Sequence, residues 1–151
     1  MLAVHIQAVL AGCSDFYTAE QMNAWFLDRD ESIYQDALRA KRVWLAEDRT
    51  QLLGFVSTEP GEVTLLFVAP EASGRQIGTR LLAQGLSQAA VDFIGPIQVV
   101  ATMNSVSFYA RHGFSIVGEE FFERGTPALR YPVVRMVQSG LLAVRFAATE
   151  A

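Results

Sequence analysis

Cysteine is nearly absent from this chain. Cys13 stands alone, which rules out an intramolecular disulfide and any multi-cysteine metal site and makes a reducing compartment, the cytosol, the expected setting. Positive charge is neither abundant nor clustered. The formal net charge is −4 and the densest basic stretch is Arg39-Ala40-Lys41-Arg42, so the phosphate neutralisation that drives nonspecific nucleic-acid binding has no source. Long apolar runs are missing too. No segment approaches the ~18 uninterrupted apolar residues of a membrane span, and the opening MLAVHIQAVLAG has no basic n-region. Internal repeats and low-complexity linkers are also lacking. These absences predict a soluble domain that binds neither nucleic acid nor membrane and holds no metal.

At 151 residues, 51% hydrophobic and 19% charged, the chain has the size and apolar content of one domain with one core and one principal site. Ala3 to Leu10 is apolar with helical spacing, and Thr18 to Gln21 (TAEQ) has the form of a capping box ahead of Met22, Trp25 and Phe26. Ser32 to Ala40 predicts a third short helix from the spacing of Ile33, Ala37 and Leu38. The pattern then changes to strands. Val43 to Glu47 and Leu52 to Thr58 flank a turn at Asp48 to Gln51, and Pro60-Gly61 leads into Glu62 to Ala69, an antiparallel meander.

After Pro70 comes a small polar loop, then a helix whose buried face is Ile77, Leu81, Leu82, Leu86 and Ala89, then a strand at Ile97 to Ala101. A strand, helix, strand passage of this kind requires parallel pairing and a right-handed crossover. Ser105 to Arg111 predicts a short helix closed at Gly113, and Phe114 to Glu123 with Leu129 to Val137 a last hairpin. The expected fold class is α/β, with a mixed, mostly antiparallel central sheet flanked by helices.

The loop is where chemistry is expected. A helix N-terminus leaves backbone N–H groups without intrahelical partners and adds about half a positive charge, so the stretch from Gly74 to Gly78 is suited to hold phosphate without a lysine. A glycine-containing loop before a helix also occurs where nothing binds, and Tyr109 beside Phe108 would serve equally as a core aromatic.

Together, the order of elements, the segment LLFVAPEASGRQIGTRLL and the string ATMNSVSFYARHGFSIVG resemble the GCN5-related N-acetyltransferase (GNAT) superfamily, from the first helix to about Met136. The resemblance implies that fold and the transfer of an acetyl group from acetyl-coenzyme A to a primary amine of a small molecule or peptide. In the family's phosphate loop a long polar residue, two fillers, a glycine, one residue and a second glycine or alanine follow one another. Here Ser73 stands at the first position and Gln76 at the first glycine, while Gly78 keeps the last. Cofactor contacts are implied for Ser73, Gly74, Arg75, Gln76, Ile77, Gly78 and Thr79, with Arg75 able to take over the contact that Ser73 is too short to make. Asn104 and Phe108 are implied beside the cofactor arm, and the backbone at Phe67 and Val68 at the acetyl oxygen.

The resemblance makes Tyr109 the general acid, since a phenol is still protonated at neutral pH and can supply the proton that the departing thiolate needs. The attacking amine must be neutral, so a base is required. Glu62 leads, Glu59 stands behind it, and His5 and His112 are alternatives by chemistry. Tyr17 and Tyr34 are the expected acceptor contacts, whereas Trp25 and Phe26 fit the buried face of a helix.

Family members usually open with a strand before the first helix, whereas this sequence starts at Met1 inside the expected helix. Either the start is placed late or Leu141 to Phe146 (LLAVRF) covers the edge that strand would occupy, and an uncovered edge invites a homodimer. The alternative to an active enzyme is a non-catalytic acyl-coenzyme A binding or regulatory domain.

Overall fold

The computed structural model describes residues 1–138, so the segment expected to cover the sheet edge, 141–146, lies outside the described residues. Helix α1 (Leu2–Gly12) is followed by α2 (Ala19–Ala24), which begins at the capping box read from the sequence. The Gln21 N–H donates to Thr18 Oγ1 at 3.1 Å and the Thr18 N–H donates to Gln21 Oε1 at 2.8 Å. The helix expected at 32–40 is divided. Asp30 accepts the Ser32 N–H at 2.9 Å and starts a 3-10 turn, Glu31–Tyr34, which passes into α3 (Gln35–Arg39).

Strands β1 (Val43–Asp48), β2 (Gln51–Glu59) and β3 (Glu62–Val68) form the meander. Helix α4 (Ile77–Ala89), strand β4 (Ile97–Thr102) and helix α5 (Val106–Arg111) follow, and β5 (Phe114–Arg124) and β6 (Leu129–Gln138) make the closing hairpin. The sheet order is β1-β2-β3-β4-β6-β5, and only β3 and β4 run parallel. Among the described residues no strand precedes α1, and β1 forms one edge of the sheet.

Two features of β3 create a site. Its parallel pairing with β4 covers only Glu62↔Gln98 and Val63↔Val99, so the two strands part beyond Val63. On its other side the register with β2 passes from Thr58↔Val63 to Ser57↔Leu65, which leaves Thr64 as an extra residue whose Oγ1 shares a 2.6 Å hydrogen bond with Ser57 Oγ. A bulge of this kind re-aims the strand that carries it.

The helices lie on opposite faces of the sheet. Phe67 meets His5 of α1, with ring centroids 3.9 Å apart, while a Cβ added at Gly78 of α4 would lie 3.7 Å from Val68 Cγ2. Neighbouring strand residues point to opposite faces, so α1 covers one side and α4 the other. The main core spans both faces of the sheet, with Val56 and Leu82 on the α4 side and Phe55 against His5 and Tyr34 on the α1 side, and a second cluster, Val9, Cys13, Tyr17, Met22, Trp25 and Tyr131, lies beneath α1 and α2.

Candidate active site

Where β3 and β4 part, the chain encloses a cavity of about 550 Å³. The splayed halves of β3 and β4 form its walls, Pro70 and Ser73 sit at one end, and Trp25, Arg29, Phe122 and Arg124 sit at the other. Tyr109, Asn104, Cys13 and His5 line it between these ends.

The free backbone of β3 can be assigned by parity. The Ala69 N–H donates to Leu53 O of β2 at 2.7 Å, and alternate residues of an antiparallel pair turn their amides to the same neighbour. The Phe67 N–H therefore also faces β2, and the N–H groups of Leu66 and Val68 face the opening. Of the two residues expected at the acetyl oxygen, Val68 turns its N–H to the opening and Phe67 does not, and both line the cavity.

At the loop end, a 3-10 turn (Pro70–Ala72) leads through Ser73 and Gly74 to Gln76, which precedes α4 with φ 59° and ψ 21° and no side-chain cap. This left-handed conformation explains why a glycine suits the position, and Gln76 adopts it at a cost of about 1 kcal/mol. Gly74 has φ +79°, and a Cβ built there would meet nothing within 4 Å. The Arg80 N–H bonds Gln76 O, while the amides of the first turn have no partner inside the helix. Arg75 is 3.6 Å from Asp48 in a half-exposed ion pair, an attachment weak enough to release.

The second motif closes around the same cavity. Asn104 Oδ1 accepts hydrogen bonds from Thr102 Oγ1 at 2.7 Å and from Cys13 Sγ at 3.1 Å. A Cβ added at Gly12 would lie 2.8 Å from Asn104 Nδ2, so α1 must present a glycine where it passes this side chain. Burial pushes the Cys13 thiol up to about 11, which keeps it protonated. Tyr109 is buried against Phe108 and Phe114, its hydroxyl has no hydrogen-bond partner among the described residues, and burial raises its pKa. Phe108 in turn lies 3.5 Å from a Cβ added at Gly78, so the loop and α5 touch.

The acceptor and base expectations fare differently. Tyr17 does not line the cavity. Its hydroxyl donates to Pro132 O at 2.6 Å and accepts the Met103 N–H at 3.1 Å, which consumes it in holding α1's exit against the sheet. Tyr34 is 1% exposed and also off the cavity, and its hydroxyl shares a 2.8 Å hydrogen bond with His5 Nδ1.

Glu62 sits at the closed end of the β3–β4 pair opposite Gln98, outside the cavity, where burial raises its pKa and the Arg135 charge opposes that rise. Glu59 is exposed at the end of β2. His112 caps α5 through Phe108 O at 2.8 Å and reaches Thr79 Oγ1 at 3.1 Å, beside the loop and away from the acceptor end. Among the described residues the one titratable base that lines the cavity is His5, and burial, reinforced by Arg29 and Arg124, pushes it down to about 3.

Trp25 is buried as expected and also lines the cavity, whereas Arg29 and Arg124 carry no signal in the sequence. Arg29 and Arg124 lie 95 positions apart in the chain, and only the packing of the α2 exit against the end of β5 brings them to one cavity.

Comparison with known proteins converges on one family. The family model for the acetyltransferase (GNAT) domain matches residues 13–134. An Escherichia coli (strain K12) protein named uncharacterized N-acetyltransferase YafP is 29% identical over 123 residues, which cover 82% of this chain and 78% of the relative. Among solved structures, the GCN5-related N-acetyltransferase (Aminotransferase, Class-II) of Rhodopseudomonas palustris aligns with TM-score 0.80 at 22% identity, covering 91% of this chain and 86% of its own. PaiA N-acetyltransferase of Thermoplasma acidophilum, solved with coenzyme A, aligns with TM-score 0.69 at 19% identity, covering 91% and 89%. At these identities the structural likeness is one of fold.

Proposed function

The chain belongs to the GCN5-related N-acetyltransferase family and is an acetyl-coenzyme A-dependent N-acetyltransferase, and we propose that it works by direct attack of an amine held in the β3–β4 opening. The observation that carries the mechanism is the meeting of the inward Val68 N–H and the Tyr109 phenol on one cavity whose loop end, at Pro70 and Ser73, leads directly to the uncapped start of α4.

Acetyl-coenzyme A supplies an activated acetyl thioester. The amides from Gly74 to Thr79 fit its pyrophosphate, because the loop leaves room at Gly74 and the first turn of α4 offers N–H groups with the positive end of the helix dipole. The Val68 N–H is placed to donate to the carbonyl oxygen as negative charge develops on it. Asn104 offers its side-chain amide to the cofactor arm. As the amine nitrogen bonds to the carbonyl carbon and the carbon–sulfur bond breaks, Tyr109 gives its proton to the departing sulfur, and burial keeps it protonated until then.

Cys13 lines the same cavity but is held as a thiol, which favours transfer within a ternary complex over an acyl-cysteine route. His5 is neutral. In the tautomer whose Nδ1–H donates to Tyr34, its Nε2 lone pair accepts from the incoming amine and orients it, and the amine's surplus proton leaves to water.

The outer edge of β1 has no neighbour among the described residues, and a cytoplasmic homodimer through that edge is part of this reading, as is a single domain over the whole chain. Light scattering over a range of concentrations tests it, and a monomer throughout contradicts the dimer. The function itself is tested by calorimetry with acetyl-coenzyme A on the parent and on Gly78→Glu, together with thiol release on a panel of primary amines. A Cβ at Gly78 meets only ordinary contacts, so the variant is expected to fold and, on this reading, to set a carboxylate near the pyrophosphate. Binding by the parent, lost at least tenfold in the variant, with thiol release on an amine, supports the enzyme. Binding without turnover on any amine supports the non-catalytic domain, and no binding overturns both.

A further inference from the structure

The two ends of the cavity differ in charge as well as in construction. Among the described residues no aspartate or glutamate lines it, and the charged lining residues are Arg29 and Arg124, in a chain whose net charge is −4. Neither arginine forms an ion pair among the described residues.

Of the acids nearest in sequence, Asp28 and Glu123 form no ion pair with either arginine among the described residues, and Asp30 and Glu31 are engaged elsewhere. Asp30 accepts the Ser32 N–H at 2.9 Å, and Glu31 Oε1 accepts the Leu2 N–H at 3.2 Å. Arg124 reaches only the backbone, through Nη1 to Glu123 O at 2.8 Å, and its guanidinium carbon stands 4.7 Å from the centre of the Phe122 ring. Its Nε is buried with no hydrogen-bond partner. A buried charged donor without an acceptor is costly, and the cost persists until something supplies the acceptor. Burial and then the nearby Arg29 charge lower the Arg124 pKa, so the two guanidiniums sense one another.

We propose that the acceptor is a small primary amine carrying its own oxyanion, a carboxylate or a phosphate, which Arg29 and Arg124 bind at the α2 end of the cavity while the amine faces Val68 and Tyr109. The inference rests on the acetyltransferase reading and adds the substrate class to it. Planar guanidinium forks match either oxyanion in bidentate fashion. Polycationic amines meet repulsion here and find no carboxylate to hold them. Trp25 and Phe122 flank the arginines with apolar surface, and the cavity of about 550 Å³ must also admit the thioester arm, which keeps the acceptor small. Transfer to such an amine breaks the carbon–sulfur bond and forms an amide. Tyr109 protonates the departing sulfur, the ammonium nitrogen loses two protons, one of which restores the phenol through water while the other goes to solvent, and the product has lost the amine's positive charge.

The test pairs each oxyanion with its neutral counterpart: L-phenylalanine with L-phenylalaninamide, 4-aminobutyrate with its amide, and O-phosphoethanolamine with ethanolamine, with spermidine and kanamycin as cationic amines. Initial rates are followed by thiol release at saturating acetyl-coenzyme A. At least one oxyanion is expected to exceed its neutral counterpart tenfold in kcat/KM, and the carboxylate and phosphate pairs tell which group is read. In Arg124→Gln and in Arg29→Gln that preference should fall at least fivefold through KM, with the acetyl-coenzyme A Kd within twofold of the parent, which also shows that the variants fold.

A neutral or cationic amine as the better substrate overturns the proposal, and so does a preference that survives both substitutions. Failure to bind acetyl-coenzyme A, or no thiol release with any amine, overturns instead the reading on which it rests, and the proposal falls with it.

Discussion

The end of the cavity beside α4 is made of backbone, and the end beside α1 and α2 is made of side chains. At the first, the groups placed for binding are the amides of the Gly74–Gly78 loop and of Val68, and the side chains there can drift. Ser73 is short, Gln76 replaces a glycine, and Arg75 turns to Asp48, yet the amides stay where the fold puts them. At the second, His5, Trp25, Arg29 and Arg124 face the cavity through their side chains, so one substitution changes what the site accepts. The difference separates the two jobs of the reaction. On the proposed reading, the reagent common to the family is held by parts that substitution barely touches, and the acceptor is chosen by parts that substitution rewrites.

Removing a backbone donor is the strongest way to break the comparison. Val68→Pro deletes the N–H that the proposed mechanism aims at the acetyl oxygen and leaves the β2–β3 ladder intact, because that N–H does not face β2. A fall in kcat of about 10²–10³, with acetyl-coenzyme A affinity retained, is expected from steady-state rates and calorimetry. Phe67→Pro is its control, since it deletes a ladder hydrogen bond and should lower Tm instead.

The next effect belongs to the side-chain end. His5 is held at about 3 in the fold against 6.5 when exposed. Between those values the unfolded chain binds more protons, so stability is lost as pH falls through that window. The expected loss from pH 7 to pH 5 is about 2 kcal/mol, and urea denaturation at the two values should show it shrinking in His5→Gln. An unchanged pH slope would mean that His5 is not buried as a neutral ring.

A smaller effect sharpens the contrast at the loop. Gln76→Gly relieves the left-handed residue and should raise stability by up to about 1 kcal/mol, or a few degrees in Tm, while acetyl-coenzyme A affinity changes little. Smallest of all, Glu62→Gln should leave kcat/KM within about twofold, because Glu62 sits at the closed end of the strand pair. A large fall there would return Glu62 to the role of base.

The sequence displayed the backbone end well and the side-chain end poorly, for a physical reason. The TAEQ capping box, the leucine-faced helix and the turns at Arg49-Thr50 and Gly113 are local signals, and each element formed within two or three residues of its expected limits. Gln76 stands in the motif where a glycine is usual, and the left-handed φ there shows why. The insertion of β6 between β4 and β5 depends on pairing between distant segments, as does the meeting of Arg29 with Arg124, and neither leaves a local pattern. Tyr17 and Tyr34 carry the same residue type as a binding tyrosine, and only burial shows their hydroxyls already committed to Pro132 and His5. The bulge at Thr64, which fixes the parity of β3, was likewise invisible in the sequence.

The central claim is that Tyr109 gives its proton in the opening between β3 and β4, and it is tested most directly by measuring kcat and the acetyl-coenzyme A Kd of Tyr109→Phe side by side. A fall in kcat of at least about 10²-fold with Kd within twofold of the parent is the predicted result. A kcat within threefold of the parent would contradict it.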